Sequence, residues 1–143
     1  MLRGATMLAA AAVPPLCCTS AEAPEKSLRW EPGRLVVNLR QAGALKSAGG
    51  SVRARNDSLK RDLLLIRVSE TEFAAMNTAC THGGAPVVYN GRRKTGQCTS
   101  LGHSEFALHT GEVIRGPAPK PIQAYKTRLE GDLLIVELEG SFS

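Results

Sequence analysis

Beyond about residue 60 the chain keeps no sustained apolar period of 3.6 residues, and short apolar runs punctuated by turn residues follow one another instead. That pattern excludes a helical bundle and predicts a mainly antiparallel, all-β domain. Strands are expected at Leu35 to Leu39, Leu63 to Val68, Glu72 to Asn77, Val87 to Tyr89 and Gly96 to Cys98, then at Glu105 to Leu108, Glu112 to Arg115, Ile122 to Leu129 and Asp132 to Leu138. Asn56-Asp57-Ser58, Ser69-Glu70-Thr71 and Glu130-Gly131-Asp132 read as turns, and Gly43 to Ser51 as a loop with a short strand after it. Aromatic residues make up 4% of the chain, so the core has to be aliphatic. The runs Leu63-Leu64-Leu65-Ile66 and Leu133-Leu134-Ile135-Val136 can supply it.

A chain of 143 residues has material for one compact domain and one core. Its start is different in kind. Met1 to Ser20 holds Arg3 as its one charge, then an apolar stretch, then the small residues Thr19, Ser20 and Ala21, the layout of an export signal. The apolar part is about fifteen residues, short of the roughly 20 that span a bilayer as a helix. Residues 1–21 are therefore expected to be a signal peptide or membrane anchor, residues 22–29 a polar linker, and residues 30–143 the folded domain. An exported protein, periplasmic or membrane-associated and facing the periplasm, follows from this reading, with a membrane tether at the N terminus as the alternative to a cleaved end. Cys18 is a candidate lipidation site, although Pro15 and Cys17 fit the lipoprotein pattern poorly.

The net charge of +5 is modest, and its one dense cluster is Arg92-Arg93-Lys94. No aromatic residues interleave with that cluster, which argues against a nucleic-acid platform. It reads as a solvated hairpin tip, or as a patch that steers an acidic protein partner.

Of the four cysteines, Cys17 and Cys18 fall in the export segment, leaving Cys80 and Cys98 for the domain. These two could form a disulfide or be buried thiols. Each, however, has a histidine close behind it: His82 one residue beyond Thr81, and His103 after four intervening residues. Thiolates are soft donors and imidazoles borderline ones, so Cys80, His82, Cys98 and His103 make a metal-ligand set for zinc or for iron and sulfur. The Cys-x-His spacing suits a two-iron cluster better than a single ion, with one iron taking two sulfurs and the other two nitrogens.

Cys80-Thr81-His82-Gly83-Gly84 resembles the first cluster loop of Rieske proteins, Cys-Thr-His-x-Gly. Cys98-Thr99-Ser100-Leu101-Gly102-His103-Ser104-Glu105-Phe106 resembles the second, Cys-Pro-x-His-Gly-Ser-x-Phe, and Thr110 to Pro119 resembles the hairpin and proline loop that pack over the cluster. The resemblance spans about Leu63 to Leu138 and implies an antiparallel β-sandwich or barrel with a small cluster-binding subdomain. It also implies one [2Fe-2S] cluster per chain on Cys80, His82, Cys98 and His103. Two departures stand out. The second loop has four residues between its ligands where the family has two, with Gly102 before the histidine, and this leaves His109 as a fallback ligand. Ala85, and Thr99 to Leu101, stand where respiratory Rieske subunits carry a disulfide between the loops.

The resemblance implies one-electron transfer, as an exported electron-transfer subunit or a ferredoxin-like carrier, to a redox partner such as a cytochrome or an oxidoreductase subunit. Gly83 and Leu101, beside the two histidines, are expected to form an apolar docking tip. Ser104 is expected to donate to a cluster sulfur and Phe106, lacking a hydroxyl, cannot, which places the potential in the middle or lower part of the roughly −150 to +300 mV Rieske range. The sequence offers no catalytic site of its own: it holds no Ser-His-Asp order, phosphate-binding glycine loop or mononuclear-iron triad. The rival readings are a structural zinc module on the same four residues and a cluster-free interaction domain on the same fold.

Overall fold

The computed structural model describes residues 21–56, 61–81, 84–99 and 103–142. The expected export signal up to Ser20, with Cys17 and Cys18, lies outside them, as do Asp57-Ser58, His82, Gly83 and Leu101.

The described residues form two sheets. The larger runs through β1 (Ala21–Glu22), β2 (Leu28–Glu31), β3 (Arg34–Asn38), β4 (Ser51–Asn56), β5 (Arg61–Arg67), β6 (Phe73–Asn77), β11 (Ala124–Glu130) and β12 (Leu133–Phe142). Its spatial order is β1-β4-β5-β6-β11-β12-β3-β2. The smaller holds β7 (Val87–Asn90), β8 (Thr95–Cys98), β9 (Glu105–Phe106) and β10 (Val113–Arg115) in the order β10-β9-β8-β7. Every pairing is antiparallel except β1 with β4. The all-β expectation therefore holds, including the hairpin at Gly131, whose φ of 59° suits the turn between β11 and β12.

β5 explains both the long apolar run and the two-layer plan. Its side chains alternate between faces, and both faces are buried. Leu63 and Leu65 point into a first core with Leu35, Val37, Val52, Phe73 and Leu134, enclosed by the curled large sheet. Leu64 and Ile66 point the other way, into a second core with Met76, Val87, Phe106 and Ile122, between the large and small sheets. Gly96 lies where the two sheets approach closely. A Cβ at that position would sit 2.6 Å from the sulfur of Met76.

The N-terminal stretch departs from expectation. Residues 22–29, read as a linker from their polarity, are held on the sheet: β1 pairs with β4, Ala23 N–H donates to the Arg53 carbonyl, and β2 begins at Leu28. The reason is edge covering. β1 occupies the open edge of β4 with two residues, and Glu22 reaches Arg53 and Arg55 at 3.1 and 3.2 Å. Among the described residues no helix is long and apolar enough to cross a membrane.

Candidate metal centre

The two cysteines lie at the foot of two loops that the small sheet brings together. Cys98 ends β8 opposite Val87, and Cys80 follows the bridge between Ala79 and Pro86. Both are buried in the second core, Cys80 at 3% and Cys98 at 1% exposure. They form no disulfide.

Each loop is closed by its own backbone. In the first, Cys80 N–H donates to Ala85 O at 2.9 Å and Gly84 N–H to Cys80 O at 2.8 Å, with Gly84 at a φ of 81°. In the second, Cys98 N–H donates to Ser104 O at 2.8 Å, which brings the two ends of the loop together. The sequence suggests that Gly102 eases the path of this lengthened loop. Within the described residues the left-handed conformation falls on His103 itself, with a φ of 47°. A non-glycine residue held there stores strain, and such residues gather at functional sites. The His103 side chain is exposed, with Nδ1 3.3 Å from the Cys98 carbonyl oxygen.

The loops are also tied to one another. Thr99 donates to the Pro86 carbonyl twice, from its N–H at 3.0 Å and from its hydroxyl at 2.9 Å. This non-covalent link falls in the loop segment where the resemblance notes a missing disulfide. The proline loop, Gly116 to Pro119, is fastened within its second half and just beyond it. Ala118 N–H donates to Ser104 Oγ at 3.0 Å, and Thr81 Oγ1 donates to Lys120 O at 2.7 Å. Ser104 is buried, and its acceptor role leaves the hydroxyl proton available for a second bond. Gly116 presses on it so closely that a Cβ there would lie 2.4 Å from Ser104 Cα. Sequence reasoning could not find these ties, because their partners are 13 to 39 residues apart.

His109, the fallback ligand, occupies an exposed turn, where its Nε2 lies 2.6 Å from Glu72 Oε2. Glu105, which the sequence did not single out, is fully buried on β9. Burial pushes its carboxyl up. The Arg93 hydrogen bond at 2.8 Å and charge, with Thr95 at 3.2 Å and Arg115 at 3.6 Å, outweigh burial and hold it below the usual glutamate range.

Two buried thiols at adjoining loop feet and a surface imidazole on the second loop fit a cluster bound by sulfur on its inner side and nitrogen on its outer side. Phe106, Leu108, Ala118 and Ile122 supply the apolar surround.

Comparison with known proteins agrees. The family model described as the Rieske [2Fe-2S] domain matches residues 37–126. Among curated relatives, the cytochrome b6-f complex iron-sulfur subunit of Chlorobaculum thiosulfatiphilum is 39% identical over 64 residues, 45% of this chain and 34% of the relative. A Nostoc cytochrome b6-f complex iron-sulfur subunit 1 is 32% identical over 95 residues, 64% of this chain and 52% of the relative. The chain thus matches between about a third and a half of these relatives' length. Among solved structures, the ferredoxin of carbazole 1,9a-dioxygenase from Nocardioides aromaticivorans superposes with a TM-score of 0.59 at 20% identity, covering 73% of this chain and 95% of that one. The plasma membrane Rieske protein of Synechocystis superposes with a TM-score of 0.51 at 24% identity, covering 61% and 85%. These structures share the fold. From the family match, the chain belongs to the Rieske [2Fe-2S] domain family, and its cofactor is one [2Fe-2S] cluster.

Proposed function

We propose that this protein is an exported one-electron carrier whose cluster is held by Cys80, His82, Cys98 and His103, and which delivers electrons to a cytochrome or to a subunit of an oxidoreductase. When bound, such a cluster takes up and gives back one electron, with two imidazoles on one iron raising its potential above that of plant-type ferredoxins. The chain's own residues do the rest. Cys80 and Cys98 supply thiolates from inside the second core, where water is excluded. His103 offers an exposed ring through which a partner can be approached. Thr99, Thr81 and Ser104 hold the loops and the proline loop in one arrangement.

The observation that carries this reading is the burial of both thiols at adjoining loop feet while the histidine of the second loop stays at the surface. The names of the relatives, subunits of cytochrome b6-f complexes and an oxygenase ferredoxin, give the class of partner. The apolar, small-residue-ended segment up to Ala21 supports export, with cleavage or a membrane tether as its two outcomes.

The test is spectroscopic. The reduced protein should give the electron paramagnetic resonance signal of a Rieske centre, and Ala variants of Cys80, His82, Cys98 and His103 should each lose it. His109→Ala should keep it. A colourless protein that binds zinc stoichiometrically and no iron would refute the carrier reading. Loss of the signal in His109→Ala, with retention in His103→Ala, would refute the ligand assignment alone.

A further inference from the structure

The small sheet carries a fixed basic face beside the cluster loops. Residues 78–123 contain five basic side chains, Arg92, Arg93, Lys94, Arg115 and Lys120, against two acidic ones, Glu105 and Glu112. Glu105 is fully buried and paired with two of the five, and the surface keeps a net positive charge. All five basic residues are exposed.

Arg93 and Arg115 come from different parts of the sheet, the β7–β8 turn and the edge strand β10, and both converge on the Glu105 carboxylate at 2.8 and 3.6 Å. One buried acid therefore anchors the Arg93 guanidinium by a hydrogen bond and draws that of Arg115 by charge. Their side chains stay 51% and 60% exposed. The neighbouring turn is equally ordered. Asn90 Oδ1 accepts from the N–H groups of Arg92 and Arg93, both at 3.1 Å, while its amide donates to Gln97 at 2.8 Å. Ile114, one of the exposed large hydrophobics among the described residues, stands next to Arg115 on the edge strand.

This arrangement holds charge in place before any partner arrives, which reduces the ordering cost of binding. It also lies close to the electron's exit. Glu105 is two residues from His103, and β8 carries the chain from the turn to Cys98 over about 13 Å at ~3.3 Å per residue. That distance exceeds the screening length of physiological salt, about 8–10 Å, and lies well within the ~30 Å of dilute buffer, so the attraction acts chiefly at low ionic strength.

We infer that this face docks an acidic redox protein, whose surface carboxylates engage the Arg93–Arg115 pair and the Arg92–Lys94 turn while its acceptor or donor group meets the His103 side. The inference rests on the carrier reading and names the chemistry of the partner. The basic face supplies attraction and orientation, which raise the association rate chiefly at low salt.

The test uses the cluster-loaded, reduced protein and two small outer-sphere oxidants of opposite charge, hexacyanoferrate(III) and tris(1,10-phenanthroline)cobalt(III). Each takes one electron from the reduced cluster, with no proton or ligand transferred. Between low and high ionic strength the rate with the anion should fall about tenfold and the rate with the cation should rise. Arg92→Glu/Lys94→Glu, which leaves the Glu105 contacts alone, should lower the anion's rate at low salt by about tenfold. Lys26→Glu/Lys46→Glu makes the same change of charge on exposed sites of the large-sheet side and should alter that rate no more than about twofold. Equal effects of the two double variants would mean that net charge, and no docking face, sets the rate. That outcome, or salt-independent rates in the parent protein, would overturn the proposal. Co-sedimentation with phosphatidylcholine–phosphatidylglycerol vesicles at physiological salt, lost in Arg92→Glu/Lys94→Glu, would overturn it in favour of a membrane surface. A parent protein without a cluster signal would end the carrier reading and this one with it; a normal signal with the wrong salt dependence ends this one alone.

Discussion

The two cores of the molecule are built from different materials. The first, inside the curled large sheet, is aliphatic with Phe73 and Tyr125, whose hydroxyl donates to Asn77 at 2.6 Å. The second, between the sheets, contains Cys80 and Cys98 and is ringed by loops that depend on hydroxyl-to-backbone bonds from Thr81, Thr99 and to Ser104. The first can stand on burial alone. The second spends part of its interior on two thiols and must fix its loops by individual contacts.

The largest effect should come from breaking the first core. Leu65→Ala is expected to cost about 2–5 kcal/mol, read by urea unfolding followed by far-ultraviolet circular dichroism, and to lose the chromophore as a consequence. Cys98→Ser should lose the chromophore while the large sheet keeps its unfolding midpoint. If Cys98→Ser destabilised the chain as much as Leu65→Ala, the two cores would be one cooperative unit and the contrast would fail.

Next in size is Gly116→Ala. The new Cβ would meet Ser104 Cα at 2.4 Å, and the backbone there has a φ of 119°, so the proline loop must lift. A cost of about 2–4 kcal/mol is expected, combining overpacking with backbone strain. Chelator-driven loss of the visible chromophore should be faster, and near-ultraviolet signals from Trp30, packed on the first core, should be unchanged.

Ser104→Ala is milder. It leaves the buried Ala118 N–H without its acceptor, at about 1–2 kcal/mol, and removes the hydroxyl proton available to a cluster sulfur. The potential should fall, and since about 59 mV corresponds to a tenfold change in a one-electron equilibrium, potentiometry resolves it easily. An unchanged potential with reduced stability would limit Ser104 to holding the proline loop.

The smallest effect concerns the far edge of the first core. Hydrogen bonds from Arg53 and Arg55 hold the Glu22 carboxyl below the usual glutamate range. A lowered folded-state pKa means that the stabilisation is present above the unfolded value and disappears as pH falls through the folded one. Exchange protection of the Ala23 amide, bonded to Arg53 O, should drop in acid. Glu22→Gln should remove that pH dependence and leave the chromophore untouched.

Much of this was legible beforehand, for reasons that differ by region. Leu63-Leu64-Leu65-Ile66 announces a strand buried on both faces, and the two Cys-His pairs announce donors of matched chemistry. β1 was not legible, because two polar residues carry no period and their place depends on the open edge of β4. In β2, Leu28 and Trp30 alternate with Arg29 and Glu31, but four residues are too few to separate from a linker. The shorter β9 ends where Ala107 N–H turns to Glu112 O, a choice made by the following hairpin. Glu105, Arg93 and Arg115 look like scattered surface charges until the sheet folds them onto one point.

The bonds from Thr99 to Pro86, from Thr81 to Lys120 and from Ala118 to Ser104 have a consequence for speed. Electron transfer is slowed by whatever atoms must move when the charge changes. Here these three contacts brace the described parts of the loops against one another, which removes soft coordinates along which they could relax. A scaffold with its dipoles already set incurs little reorganisation at the moment of transfer. As the carrier proposed above, the chain is expected to exchange electrons quickly with a partner of nearly equal potential, without needing a large driving force.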